Sequence, residues 1–374
     1  MTDGGPEGRA APAARPGVME ISAYVGGASG TANAARTVKL SSNECAWGPS
    51  PKAIAAFEAA SKKLYRYPDG GAADLRAAIA RRFGLDPSRI VCGAGSDEII
   101  SLLCQAYLAP GDEVLYSAHG FLMYRISTLA AGGVPVTAPE TDLRADVDAL
   151  LAKVTDRTRI VFLANPNNPT GTYLPSSEVR RLHAGLRPDI LLVLDAAYAE
   201  FVRRNDYEAG IEMVATSENV VMTRTFSKLY GLAGLRVGWA YCPAGVADVL
   251  NRVRGPFNVN LAAQAAAAAA LADTAWAEKV ATDTIRLRAE ATERLTALGL
   301  AVTPSEGNFI LVHFPEAAGR TAQDADAFLQ KEGVIVRRME GYGLPAALRI
   351  SIGTEDETRA CLESLTAFVE SWGG

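Results

Sequence analysis

Four apolar runs in this chain each stop at a short polar string. Ile160-Val161-Phe162-Leu163-Ala164 stops at Asn165-Pro166-Asn167-Asn168-Pro169-Thr170-Gly171. Ile190-Leu191-Leu192-Val193-Leu194 stops at Asp195, and Val220-Val221-Met222 leads through Thr223-Arg224-Thr225-Phe226 to Ser227-Lys228. Ile90-Val91-Cys92 stops at Gly93-Ala94-Gly95-Ser96-Asp97. Short apolar runs of this kind read as buried strands. They alternate with helical segments from about residue 51 to 270, which predicts an α/β domain on a mostly parallel sheet. Open α/β sheets bind ligands at the carboxyl ends of their strands, so the polar strings are the candidate site.

The strings carry specific chemistry. Lysine is scarce here, 8 of the 37 basic residues, so Lys228 stands out. Thr225 and Ser227 are short donors beside it, Gly231 and Gly234 admit a close approach, and Arg236 follows. A lysine that attacks carbonyl groups must sit in a largely desolvated place, so that part of it is neutral near pH 7. The alternative is a strand lysine that snorkels to solvent, and the string alone fits both. A carboxylate ending an apolar strand, as Asp195 does, is costly to bury without a partner. A cationic ring N–H would serve, and so would a helix N-terminus. The helix expected after Gly95 offers free backbone N–H groups to an anion through Gly95, Ser96 and Asp97, although Ser96 also suits a plain N-cap. Arg349 in Leu348-Arg349-Ile350 suits a bidentate anion clamp if it points inward.

Composition narrows the classes. The net charge of −5 carries no nucleic-acid footprint. No apolar stretch reaches the ~18–20 residues of a membrane helix. The five cysteines are scattered and there are three histidines, so no metal site is expected. The thiols suit a reducing, cytoplasmic location. Residues 1–18 are Gly, Pro, Ala and Arg with few bulky apolar groups and are expected to be a disordered tail. An N-terminal arm over 19–50, a large domain over 51–270 and a smaller α+β domain over 271–374 are expected to follow. The helical segment 276–298 would link the two domains.

Ser227-Lys228-x-x-Gly231-Leu232-Ala233-Gly234-Leu235-Arg236 resembles the lysine segment of class I and II aminotransferases, which use pyridoxal phosphate. Asn-Pro-x-Asn-Pro-Thr-Gly at 165–171, the Asp195 and Tyr198 pair, and Leu348-Arg349-Ile350 resemble further segments of that family, in order. Leu40-Ser41-Ser42-Asn43-Glu44 with Gly48-Pro49-Ser50 resembles histidinol-phosphate aminotransferases in particular. Here Cys45-Ala46 replaces the usual Asn-Pro, and Trp47 replaces Tyr or Phe.

The resemblance implies the pyridoxal-phosphate transferase fold of type I and a role for each residue. Lys228 would carry the cofactor. Asp195 would hold its ring nitrogen, Asn168 and Tyr198 its phenolic oxygen, and Phe121 would stack on the ring, with His119 as the rival. Gly95, Ser96, Asp97, Thr225, Ser227 and Arg236 would hold the phosphate, joined by Tyr67 across a homodimer. Tyr24, Asn43, Arg337 and Arg349 would meet the substrate, Arg337 on its phosphate. The implied reaction moves an amino group from L-histidinol phosphate to 2-oxoglutarate. Alternatives are an aromatic amino-acid aminotransferase and, further off, a decarboxylase of the same fold.

Overall fold

The computed structural model describes residues 12–22 and 37–373. Seven strands form the main sheet: β1 (Ile90–Gly93), β2 (Glu113–Ser117), β3 (Val134–Ala138), β4 (Thr158–Ala164), β5 (Leu191–Asp195), β6 (Val220–Thr225) and β7 (Gly238–Tyr241). Their order is β1-β7-β6-β5-β4-β2-β3. All neighbours run parallel except β7, which is antiparallel to both β1 and β6.

Side chains alternate across this sheet into two cores. Leu192 and Leu194 enter one with Leu163 and Met222, whereas Leu191 and Val193 enter the other with Phe162 and Val221. A strand buried on both faces needs an unbroken apolar run, and that is how these stretches read. Each such side chain contributes about 1.5–3 kcal/mol on leaving water. The register aligns Ala164 with Asp195 and Asp195 with Thr223, so the polar strings gather at one sheet edge. Gly238 begins β7 at the same edge. A Cβ on it would lie 2.4 Å from the Ser96 nitrogen, so only glycine lets β7 pass there.

A second sheet is antiparallel, with β8 (Ala301–Thr303), β9 (Phe309–His313), β10 (Arg337–Arg338) and β11 (Ala347–Ser351) in the order β8-β9-β11-β10. Helices Ala322–Lys331 and Glu355–Glu370 cover it, each opened by a capping box, Thr321 with Asp324 and Thr354 with Glu357. The stretch 333–338 has strand-like composition throughout but forms two strands. Val334–Ile335 pairs with Val38–Lys39, and Arg337–Arg338 pairs with β11, so each half takes a different partner. The helix Thr274–Ala297 joins the two halves of the molecule: Val280 and Ala281 pack in a large-sheet core, and Leu287, Ala291 and Leu295 in the small one.

Of the stretch expected to be a disordered tail, residues 1–11 lie outside the described residues. Val18–Glu20 form a 3-10 turn, and the Arg15 guanidinium donates to the Ala130 carbonyl. Among the described residues, no helix is long and apolar enough to cross a membrane, and no cluster of His, Cys, Asp or Glu could hold a metal.

Candidate active site

The edge where the polar strings meet is a cavity of about 250 Å³, walled by both sheets and by the Ser41–Glu44 segment. Lys228 enters it just after β6. Its Nζ donates to the Ser42 carbonyl at 3.3 Å and lies 5.7 Å from the Tyr198 ring centre. Burial, then the nearby Arg349 charge, bring its pKa down to about 8. About a tenth of the amine is therefore neutral at pH 7, without any cofactor present. Capture of pyridoxal phosphate by cofactor-free protein is expected to accelerate about tenfold per pH unit below pH 8 and to level off above it. Stopped-flow absorbance across pH 6–9 measures this, and a rate still rising at pH 9 would contradict the lowered pKa.

Asp195 closes β5 in full burial. Desolvation raises its pKa to about 6, against the Tyr124 hydroxyl, which donates to Oδ2 at 2.8 Å. Thr223 donates to Oδ1 at 3.3 Å. Tyr124 was not singled out from sequence as a site residue. Its ring is fully buried and stacked on Phe162 with centroids 4.5 Å apart. Phe121, three residues earlier, lines the cavity. His119 does not, since its Nδ1 is held by the Glu140 carboxylate at 2.7 Å.

The anion cup forms at the start of helix Ser96–Tyr107. Gly95, with φ +87°, is the N-cap, so Ser96 is the first helical residue rather than the cap. Arg236, itself at φ +55°, folds over Gly95, where a Cβ would stand 2.4 Å from Nη2. Its guanidinium donates to Asp97 at 3.1 Å and to Ser227 Oγ at 3.4 Å. Asp97 thus holds Arg236, and its carboxylate adds no anion donor. The Thr225 hydroxyl accepts from the Ser227 N–H at 3.1 Å.

Arg349 enters from β11 and is buried. Its Nη1 donates to Asn168 Oδ1 at 2.5 Å and its Nη2 to the Ser41 carbonyl at 2.9 Å. Because a guanidinium only donates, the Asn168 oxygen is fixed toward it and the amide N–H₂ is turned away. Arg337 is the cross-strand partner of Arg349, and both line the cavity with Tyr342, a residue the sequence reading missed. Asn43 lines it too, but its amide is spent on Tyr198 and Ser351. Asn43 therefore also acts on Tyr198, from within the cavity lining.

Tyr67 is 81% exposed and stacks on Phe257 with centroids 4.7 Å apart, so it does not line this chain's cavity. Tyr24 lies outside the described residues. Cys45, Ala46 and Trp47 also lie outside the cavity lining: Trp47 packs against the cores of both sheets, and burial pushes the Cys45 thiol up to about 11. Trp47 and Cys45 are thus packing positions, and Cys45 and Ala46 also line a second cavity beside Gly231, Ala233 and Gly234.

These residues fit pyridoxal phosphate. A cup that a single Cβ would fill suits a phosphate, and a buried carboxylate with a raised pKa lacks the cation that a ring N–H⁺ supplies. Residues 35–365 match the family model for aminotransferase class I and II. The chain belongs to the class I and II aminotransferases. Among similar proteins, the histidinol-phosphate aminotransferase of Paramagnetospirillum magneticum is 62% identical over 96% of this chain and 99% of its own. That of Rhodopseudomonas palustris is 54% identical over 96% and 98%. The crystal structure of histidinol-phosphate aminotransferase from Sinorhizobium meliloti in complex with pyridoxal-5′-phosphate superposes with TM-score 0.83 at 32% identity, covering 90% of this chain and 91% of that one. The cofactor of this aminotransferase is pyridoxal phosphate.

Proposed function

We propose that this aminotransferase moves the amino group of L-histidinol phosphate to 2-oxoglutarate. The observation that carries the substrate is the arginine pair. Arg337 and Arg349 stand opposite each other on adjacent strands and line one cavity. Two guanidiniums directed into one cavity suit a phosphate dianion or a dicarboxylate. Both proposed substrates carry such a group.

Pyridoxal phosphate, when bound, supplies an electrophilic carbonyl carbon and a ring that takes up the electron pair released at the substrate Cα. Gly95, Ser96, Thr225, Ser227 and Arg236 would hold its phosphate, Phe121 its ring face, Asp195 its ring nitrogen, and Asn168 and Tyr198 its phenolic oxygen. Lys228 takes the Cα proton of the substrate as general base and returns it as general acid, a role suited to an amine with a pKa near the working pH. Asp195, ionised above pH 6, keeps a proton on the group it faces. The Arg337 and Arg349 guanidiniums orient the substrate by its anionic end.

The working unit we propose is a homodimer in the cytoplasm. Ile54, Phe57, Leu64, Tyr65, Tyr67 and Phe257 are exposed apolar side chains, and a second copy would cover them. The partner subunit's Tyr67 would then complete the phosphate cup. Tyr24, in the arm expected over 19–50, we keep as a substrate contact. The division into a large domain, 51–270, and a small one, 271–374, follows the two sheets.

The test is a single-turnover half-reaction of the cofactor-loaded protein with L-histidinol phosphate, phenylalanine or tyrosine. Conversion of the cofactor to its amine form at least about tenfold faster with histidinol phosphate is the expected result. Preference for the aromatic acids would reassign the enzyme, with Arg349 as the carboxylate clamp. Release of CO₂ without the amine form would make it a decarboxylase.

A further inference from the structure

The Tyr198 hydroxyl is one end of a hydrogen-bond chain whose direction the donors and acceptors determine. The backbone N–H of Asn43 donates to Ser351 Oγ at 2.8 Å. The Ser351 proton is therefore pointed elsewhere, and it meets Asn43 Oδ1 at 3.1 Å. With its oxygen engaged, the Asn43 amide presents Nδ2 to the Tyr198 oxygen at 3.0 Å. That oxygen accepts, so the Tyr198 proton turns away from Asn43, toward the cavity that Tyr198 lines. All three residues are buried, and Asn43 is held at φ +54°, a backbone state that asparagine tolerates better than most.

We propose that Ser351 and Asn43 are positioning residues that aim the Tyr198 proton at the phenolic oxygen of the bound cofactor. The inference rests on the role given to Tyr198 above. It adds that β11, which carries Arg349 and Ser351 two residues apart, orients both donors to that oxygen: Asn168 through Arg349, and Tyr198 through Ser351 and Asn43. The small sheet, where the substrate anion is clamped, thereby reaches the cofactor's electronics on two separate routes.

The consequence is chemical. A donor to the phenolic oxygen draws negative charge away from the neighbouring Lys228 nitrogen. Without the donor, that nitrogen holds its proton more tightly and the pH midpoint of the bound cofactor's visible absorbance rises. The charged or titratable groups facing Tyr198 are Lys228, Arg349, Tyr342 and Asp195, and none of them is altered in the test.

The experiment titrates the visible absorbance of cofactor-loaded wild type, Tyr198→Phe, Ser351→Ala, Ser351→Thr, Asn43→Asp, and the double variant of Ser351→Ala with Tyr198→Phe. Asn43→Asp keeps the shape but, ionised, can only accept, so it captures the Tyr198 proton; because its added charge by itself also raises the midpoint, the neutral Ser351→Ala and the double variant carry the decision. Tyr198→Phe is expected to raise the midpoint by about one pH unit, Asn43→Asp by as much, and Ser351→Ala by about half a unit. Ser351→Thr keeps the hydroxyl and the wild-type midpoint. The double variant matches Tyr198→Phe alone, because Ser351 acts only through Tyr198. An unshifted midpoint for Ser351→Ala, or a fully additive double variant, would overturn the inference. An unshifted Tyr198→Phe would instead overturn the reading of Tyr198, and the inference with it.

Discussion

Lys228→Ala is expected to lower turnover at least about 10⁴-fold while leaving a folded protein that still takes up cofactor. The lysine supplies two things, a covalent hold and a proton carrier, and alanine supplies neither. Among the described residues its amine makes one hydrogen bond, to the Ser42 carbonyl, in a polar cavity, so its loss leaves little unsatisfied. Burial lowers the lysine pKa to about 8 and so disfavours its charged form, and alanine carries no charge to bury. The phosphate cup around Arg236 is untouched, so pyridoxal phosphate binds but dialyses away. Lys228→Arg sharpens the test, because a guanidinium keeps the charge yet does not lose its proton near neutral pH. Equal loss in both variants, with a wild-type far-UV spectrum, is the expected result. Transamination at an unchanged rate in either would remove the basis of the mechanism.

Lys228, Asp195, Asn168 and Arg236 were legible in sequence because each sits in a short local string at the end of an apolar run. The sheet was legible for the same reason: continuous apolar runs demand burial on both faces. What escaped depends on contacts between distant residues. Tyr124 reads as one more apolar helix position, and only the fold brings its hydroxyl to Asp195, 71 residues on. Asn43 reads as a substrate contact, and only the fold shows that Ser351, 308 residues away, bonds its backbone N–H and its amide oxygen. The break between Ile335 and Arg337 was hidden because both halves have strand-like composition and only their partners differ. Periodicity tells which faces are buried and does not tell which buried polar atoms find one another.

Asp195→Asn is expected to move activity and stability in opposite directions. Asparagine keeps the shape, and its oxygen still accepts from Tyr124, but it offers no charge to keep a ring nitrogen protonated. Turnover should fall about 10³-fold across the whole pH range, on the scale of losing one preorganised charge in a water-excluded site. Stability follows the pKa of the cofactor-free protein. The Asp195 carboxyl titrates at about 6 when folded against 3.8 ordinarily, so between those values the folded state binds the extra proton. Stability therefore falls as pH rises through that window, and above pH 6 the buried carboxylate costs about 3 kcal/mol. The Asn variant, free of that cost, should melt several degrees higher than wild type at pH 7–8 without cofactor, and the difference should shrink toward pH 4. Calorimetry of the two cofactor-free proteins at both pH values measures it. Bound pyridoxal phosphate reverses the order, since the carboxylate then has its cation. If Asp195 served only to accept backbone N–H groups at the end of β5, asparagine would do the same, and neither activity nor the pH dependence of melting would change.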